Sequence, residues 1–368
     1  MSQIPLMREQ IKMSETAVDM HSHVILEVGL PGDTWKYCIE RQSLADKSEW
    51  FRALLTGDMA PPPSDPPPTI SLQYVEKRAF DHLLRYICGD QVHFHSISTA
   101  RATLDAAHSY LCPGLAKMAV DYMIKNLSST NVLSIYHGLT LYSINEADEL
   151  GQILSAPPLP GDDAIEIAVA CTRLLNACLG VIDSVADDVL RQEGFEELTI
   201  QEVGRLARRD ELKLGKETIL FNALEKWSAS ECRRHGIEPT PNNKRDALSD
   251  DIWYSVRYLL MTDREFIEGP MASGILSSGE SAAIVAKILG HNKHQETAQN
   301  SHIIPCRLIA TPRNRKSSVV KSKSIMKPGK KECDDNKKNR RKECASQGQR
   351  ACARVGDLVI RALACVFD

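Results

Sequence analysis

Strand-like patterning in this 368-residue chain is confined to its first hundred residues, and that confinement dictates a small α+β unit followed by an all-helical one. HVILEV (His23 to Val28) and TWKYCI (Thr34 to Ile39) flank Leu30-Pro31-Gly32-Asp33, whose residues supply turn geometry, so the pair reads as a hairpin. Two more short strands are expected, Thr69 to Leu72 and Gln91 to Phe94. Between and after them the spacing is helical: Ser43 to Leu55 closed by Gly57, Val75 to Cys88 closed by Gly89-Asp90, Ser98 to Leu111, and Pro113 to Leu127 with proline at a favourable first-turn position. The segment APPPSDPPP, with six prolines in nine residues, can be neither helix nor central strand and reads as an exposed connector or docking segment.

From Thr130 to Leu289 only helical windows follow, separated by breakers such as Ala156-Pro157-Pro158-Leu159-Pro160-Gly161 and Pro239-Thr240-Pro241. Thr199 with Glu202 and Thr262 with Glu265 have the three-residue spacing of capping boxes, which locate helix starts. Beyond Leu289 the composition turns to Lys, Arg, Ser, Asn and Gln, too polar to offset its own ordering, and a disordered basic tail is expected. From Ser301 onward there are 17 Lys and Arg against 6 Asp and Glu, leaving 28 against 42 in the first 300 residues, so an acidic body carries a basic tail. The expected organisation is a flexible leader over 1–17, an α+β domain over 18–127, a helical domain over 128–290 and the tail over 291–368.

Hydrophobic residues at 43% and charged residues at 25% match ordinary soluble domains. The N-terminal residues lack a positive stretch followed by an apolar one, so no secretory signal is expected. The longest apolar stretches, Ala164 to Val169 and Leu174 to Ile182, fall short of a membrane span. The 11 cysteines are scattered singly, which favours reduced thiols; Cys38, Cys88, Cys112, Cys171, Cys178 and Cys232 sit in contexts suited to small buried hydrophobes.

Particular runs narrow the fold. Leu44-Ala45-Asp46-Lys47-Ser48-Glu49-Trp50-Phe51-Arg52-Ala53-Leu54-Leu55-Thr56-Gly57 resembles the signature helix of BTB (POZ) domains, and Phe80 to Cys88 resembles the helix before that family's final strand. In the second half Leu212, Glu217, Phe221, Ala223, Trp227 and Arg233 fall in the pattern of BACK domains, and Val256 to Phe266 is similar to a later helix of that module. Gly269-Pro270-Met271-Ala272-Ser273-Gly274-Ile275-Leu276 resembles a run found in one BTB-BACK subfamily. The resemblance spans about Val18 to Leu289 and includes neither a kelch propeller nor a PHR β-sandwich.

The resemblance implies a BTB homo- or heterodimer and a substrate adaptor that joins a protein target to a cullin-3 ubiquitin ligase. It assigns His23, Glu40, Arg41, Trp50, Phe51, Leu54, Leu55, Asp58 and Met59 to the dimer or partner surface, with the loop to Pro68 and a helical pair over Asn131 to Leu150 as further partner contacts. Two departures stand out. His23 and Glu40 replace an aspartate and a histidine of the family, either as an exchanged polar pair or by independent drift, and Asp58-Met59-Ala60-Pro61 places proline where many cullin-binding relatives carry an acid.

No residues recommend an enzyme. The pairs His21/His23 and His93/His95 lack a matching Cys or carboxylate pair at ligand spacing, and phosphate loops, nucleophile elbows and zinc-protease runs are absent, so no cofactor, metal or catalytic residue is expected. Lys337, Lys338, Arg340, Arg341 and Lys342, with Arg313-Asn314-Arg315-Lys316 upstream, form basic clusters suited to nuclear import, with nucleic-acid contact ranking below import because base-stacking aromatics are missing. Arg315-Lys316-Ser317-Ser318 has basophilic kinase character, and the terminal Cys365-Val366-Phe367-Asp368 ends in a residue unsuited to prenylation. Two function classes remain, a ubiquitin-ligase adaptor and a BTB-mediated oligomeric scaffold or nuclear regulator without cullin binding. Either would be cytoplasmic, with the basic cluster offering a route to the nucleus.

Overall fold

Alternation along the first strand sets the sheet: Val24, Leu26 and Val28 are fully buried while the residues between them face outward. The computed structural model describes residues 20–30, 32–73, 75–142, 162–290 and 308–313. Strand β1 (His23–Leu30) pairs antiparallel with β2 (Asp33–Glu40), opposing Leu26 to Tyr37 and His23 to Glu40. The hairpin expected from the turn residues is present. The chain then forms α1 (Arg41–Lys47) and α2 (Glu49–Thr56), crosses through the proline segment, and returns as β3 (Thr69–Gln73) parallel to β1. The sheet order β2-β1-β3 leaves β1 central.

Two expectations change here. Ser43 to Leu55 is two helices rather than one, because Ser48 adopts extended backbone and caps α2. Gln91 to Phe94 has extended residues but is no strand; Val92 and Phe94 pack on helices instead of a ladder, with Phe94 edge-on to His82. Helix α3 (Lys77–Ile87) packs on β1, α4 (Ile97–Ser109) on α3 and α5 (Pro113–Lys125) on α4, sharing a continuous apolar core.

Among the described residues the second half has helices and no strand: α6 (Val132–Tyr136), α7 (Asp163–Ser184), α8 (Ala186–Val189), α9 (Ile200–Ala207), α10 (Glu217–Arg234), α11 (Pro241–Asp246), α12 (Asp250–Trp253), α13 (Asp263–Phe266) and α14 (Ser278–Ile288). Both expected capping boxes close reciprocally, at Thr199/Glu202 and Thr262/Glu265, and Ser277/Glu280 adds a third. Helix α7 is longer and more apolar than its separate stretches suggested: 22 residues with mean hydropathy 1.7, enough by length and composition to cross a membrane. In this fold Ile167, Cys171, Leu174, Cys178 and Ile182 bury that apolar face against α5 and α6, as the core helix that joins the two halves.

Cys38 and Cys88 depart from the buried role expected of them and are exposed, whereas Cys112, Cys171, Cys178 and Cys232 are buried. The predicted leader and residues 143–150 of the helical pair ending at Leu150 lie outside the described residues, as does Lys337 to Lys342.

Candidate partner-binding surface

Helix α2 is aimed by one buried hydroxyl. Ser48 Oγ accepts from the Phe51 N–H at 3.1 Å and donates to the Tyr110 carbonyl at 2.5 Å, tying the α2 start to the end of α4. Phe51 and Leu55, four residues apart, therefore point into the core, where the Phe51 and Tyr110 rings stack at 5.4 Å. This corrects the assignment of Phe51 and Leu55 to a partner surface, since neither side chain can reach a second molecule. Trp50 and Leu54 sit half-buried at the boundary, Trp50 edge-on to both aromatic rings.

Arg41 is likewise an internal tie. Its Nη2 donates to the Leu55 carbonyl at 3.0 Å and to the Pro61 carbonyl at 2.9 Å, fixing the α2 C-terminus against the proline segment. At the other end of that segment the Pro68 carbonyl accepts from the Ile25 N–H at 2.9 Å. Prolines donate nothing but accept normally, so the segment is anchored through carbonyls. Asp58 and Met59 project from the fixed turn between these ties, Met59 at 95% exposure. His23 and Glu40 are cross-strand neighbours at the sheet edge, with Glu40 Oε2 accepting from Ser43 Oγ at 2.9 Å and His23 Nδ1 3.0 Å from Ser22 Oγ. The register places the two residues directly opposite each other.

A buried carboxylate ties the turn that follows the BTB-like half to α9. Glu202, 2% exposed, accepts from the Gly138 N–H at 2.7 Å and the Thr199 N–H at 2.9 Å, and its Oε2 lies 3.0 Å from His137 Nδ1. Nearby Trp227 is buried with Nε1 donating to the Leu198 carbonyl at 2.8 Å, and Phe221 packs with Trp253 and Tyr258. Leu212, Glu217, Phe221, Ala223 and Trp227 are all buried, while Arg233 is exposed. Glu280 shows how charge is tolerated inside. Burial would raise its carboxyl, but hydrogen bonds from Tyr254 and Ser277 and the charge of Arg245 outweigh that and hold it below the ordinary glutamate value.

Family models match both halves: a BTB/POZ domain at residues 21–127 and BACK (BTB And C-terminal Kelch) at residues 166–238. The chain carries a BTB domain followed by a BACK domain. Human BTB/POZ domain-containing protein 6 is 32% identical over 292 residues, covering 78% of this chain and 47% of that protein. Zebrafish BTB/POZ domain-containing protein 6-B is 30% identical, covering 78% and 53%, and human BTB/POZ domain-containing protein 3 is 29% identical, covering 71% and 44%. This BTB-BACK chain thus spans about half the length of the curated relatives it matches. Proteins of this architecture are in general non-catalytic interaction adaptors.

The thiols of the BTB-BACK core are poor nucleophiles: burial pushes Cys171 up to about 11 and Cys112 and Cys178 up to about 12. Among the described residues no three His, Cys, Asp or Glu side chains gather as a metal site. Sequence reasoning missed Arg313. Its place in a basic cluster suited to nuclear import suggests a solvated side chain, yet it is buried in the BACK half against Glu217. The one available signal was the apolar run from Ile303 to Ala310, interrupted only by Arg307, before Thr311-Pro312-Arg313 in an otherwise polar tail.

Proposed function

We propose that this BTB-BACK chain is a substrate adaptor that dimerises through its BTB domain and engages a cullin-3 ubiquitin-ligase scaffold. The observation that carries the reading is the turn after α2, where Met59 is presented almost fully exposed from a backbone held by Arg41. A large apolar side chain on a rigid turn loses little entropy on docking and gains burial, the combination that makes binding hot spots. Half-buried Trp50 and Leu54 extend the same surface. Pro61 stands where many cullin-binding relatives carry an acid, so the contact relies on Met59 and Leu54 in place of a charge.

Binding of the full chain to a cullin-3 amino-terminal domain tests this. Met59→Asp should weaken it at least thirtyfold, about 2 kcal/mol, without changing the unfolding transition, because the side chain has no internal packing to lose. A folded, dimeric wild-type chain that does not bind would reject the cullin reading and leave an oligomeric scaffold.

A further inference from the structure

Residues 308–313 cross the BACK half as a short irregular segment in which Arg313 is buried and Leu308 half-buried against the core. Ile309, Ala310, Thr311 and Pro312 are exposed, while the Arg313 side chain is 4% exposed and spends every N–H it has. Nε donates to Glu217 Oε1 at 2.8 Å and Nη2 to Glu217 Oε2 at 3.4 Å. Nη1 donates to the carbonyls of Ala207 at 3.0 Å and Arg209 at 2.5 Å, and Nη2 also to the Ser255 carbonyl at 2.7 Å. Five donors meet five acceptors in the planar fork that only a guanidinium presents. Arg257 Nη1 adds one contact to the segment's backbone, donating to the Thr311 carbonyl at 2.7 Å.

The acceptors belong to the BACK fold itself. Ala207 and Arg209 offer carbonyls at the C-terminal end of α9, where the helix dipole favours a cation, and Glu217 opens α10 with its side chain 8% exposed. Removing Arg313 would leave a buried carboxylate facing three unpaired carbonyls, so the socket demands a cationic fork from somewhere. Beside it runs a cleft of about 820 Å³ with Asp210, Asp250 and Asp251 on its walls. With Glu217 these make four carboxylates against Arg208 and Arg257, plus Arg245 behind Asp250. The vacated site is therefore net negative. A segment held by one fully buried anchor, with only half-buried Leu308 packed beside it on the core, binds as a peptide ligand does.

We propose that this socket and cleft form a peptide-binding site on the BACK domain for short basic segments centred on arginine, occupied in cis by Leu308–Arg313. Because the resident segment is tethered, its effective concentration is on the order of millimolar. A peptide in trans gains access only when the resident arginine is withdrawn or outcompeted. The site is independent of the turn around Met59 and requires no cullin.

The test titrates a fluorescein-labelled peptide of residues 308–316 into the full chain, followed by fluorescence anisotropy. At low micromolar concentrations the wild type should not bind, whereas Arg313→Ala should bind saturably. Adding Glu217→Gln to Arg313→Ala, or replacing the peptide's arginine at the 313 position by lysine, should weaken binding at least thirtyfold. A folded Arg313→Ala chain that ignores the peptide, or that binds a scrambled peptide of equal charge as tightly, would overturn the proposal. If Arg313→Ala loses its cooperative unfolding, amide exchange in the wild type answers the same question. Several millimolar unlabelled peptide should speed exchange at residues 308–313 several-fold, and unchanged exchange would equally overturn it.

Discussion

Single side chains in this BTB-BACK chain do work that their residue type does not announce. His82 is an example: Thr103 Oγ1 donates to the Thr99 carbonyl at 2.8 Å, so the 2.9 Å contact between Thr103 Oγ1 and His82 Nδ1 requires the histidine to donate. Burial, with help from the Arg85 and His95 charges and against Asp81, holds the imidazole below its ordinary value. The unfolded chain therefore takes up the proton first as the pH falls. The contribution of His82 to stability is complete above about 6.5, the ordinary histidine value, and is lost as pH falls through the lower folded value. Melting temperatures measured between pH 8 and pH 5 should drop more steeply for the wild type than for His82→Gln, which keeps a donor but cannot titrate. Equal slopes would show that other groups set the acid sensitivity. Arg41, Phe51 and Leu55 carry the same lesson: the family resemblance named them, and the fold turned each inward.

At the scale of elements, local signals held where the chain could satisfy them locally. Capping boxes form within four residues, and the Leu30 to Asp33 turn determines the hairpin it closes. The break between α1 and α2 had no such signal, because helical spacing runs through Ser48 and the competing partner, the Tyr110 carbonyl, lies 62 residues away. Ser48→Ala should remove both an N-cap and the donor to a buried carbonyl, costing about 2 kcal/mol in urea unfolding, while Ser48→Thr should recover part of it. Gln91 to Phe94 fails as a strand for the opposite reason: its residues suit extension, but Val92 and Phe94 pack in the core, Phe94 against His82 of α3, and the segment joins no ladder of the three-stranded sheet.

For the whole molecule, the decisive contacts join segments distant in sequence. Glu202 holds the turn that follows the BTB domain onto the BACK helices through the Gly138 N–H and His137. Glu202→Ala would strand two backbone donors and should cost about 3 kcal/mol; chemical denaturation followed by Trp227 fluorescence and by a BTB probe should then show two transitions in place of one. The order of strands and helices, the helical second half and the BTB-BACK resemblance all follow from residues close together in the chain, since periodicity, caps and turns are properties of short windows. Which residues of the α2 motif face outward, how the proline segment is anchored, and the capture of Arg313 by Glu217 were decided only in three dimensions. Each depends on a buried carbonyl or carboxylate whose need for a partner exists only once the chain has packed around it.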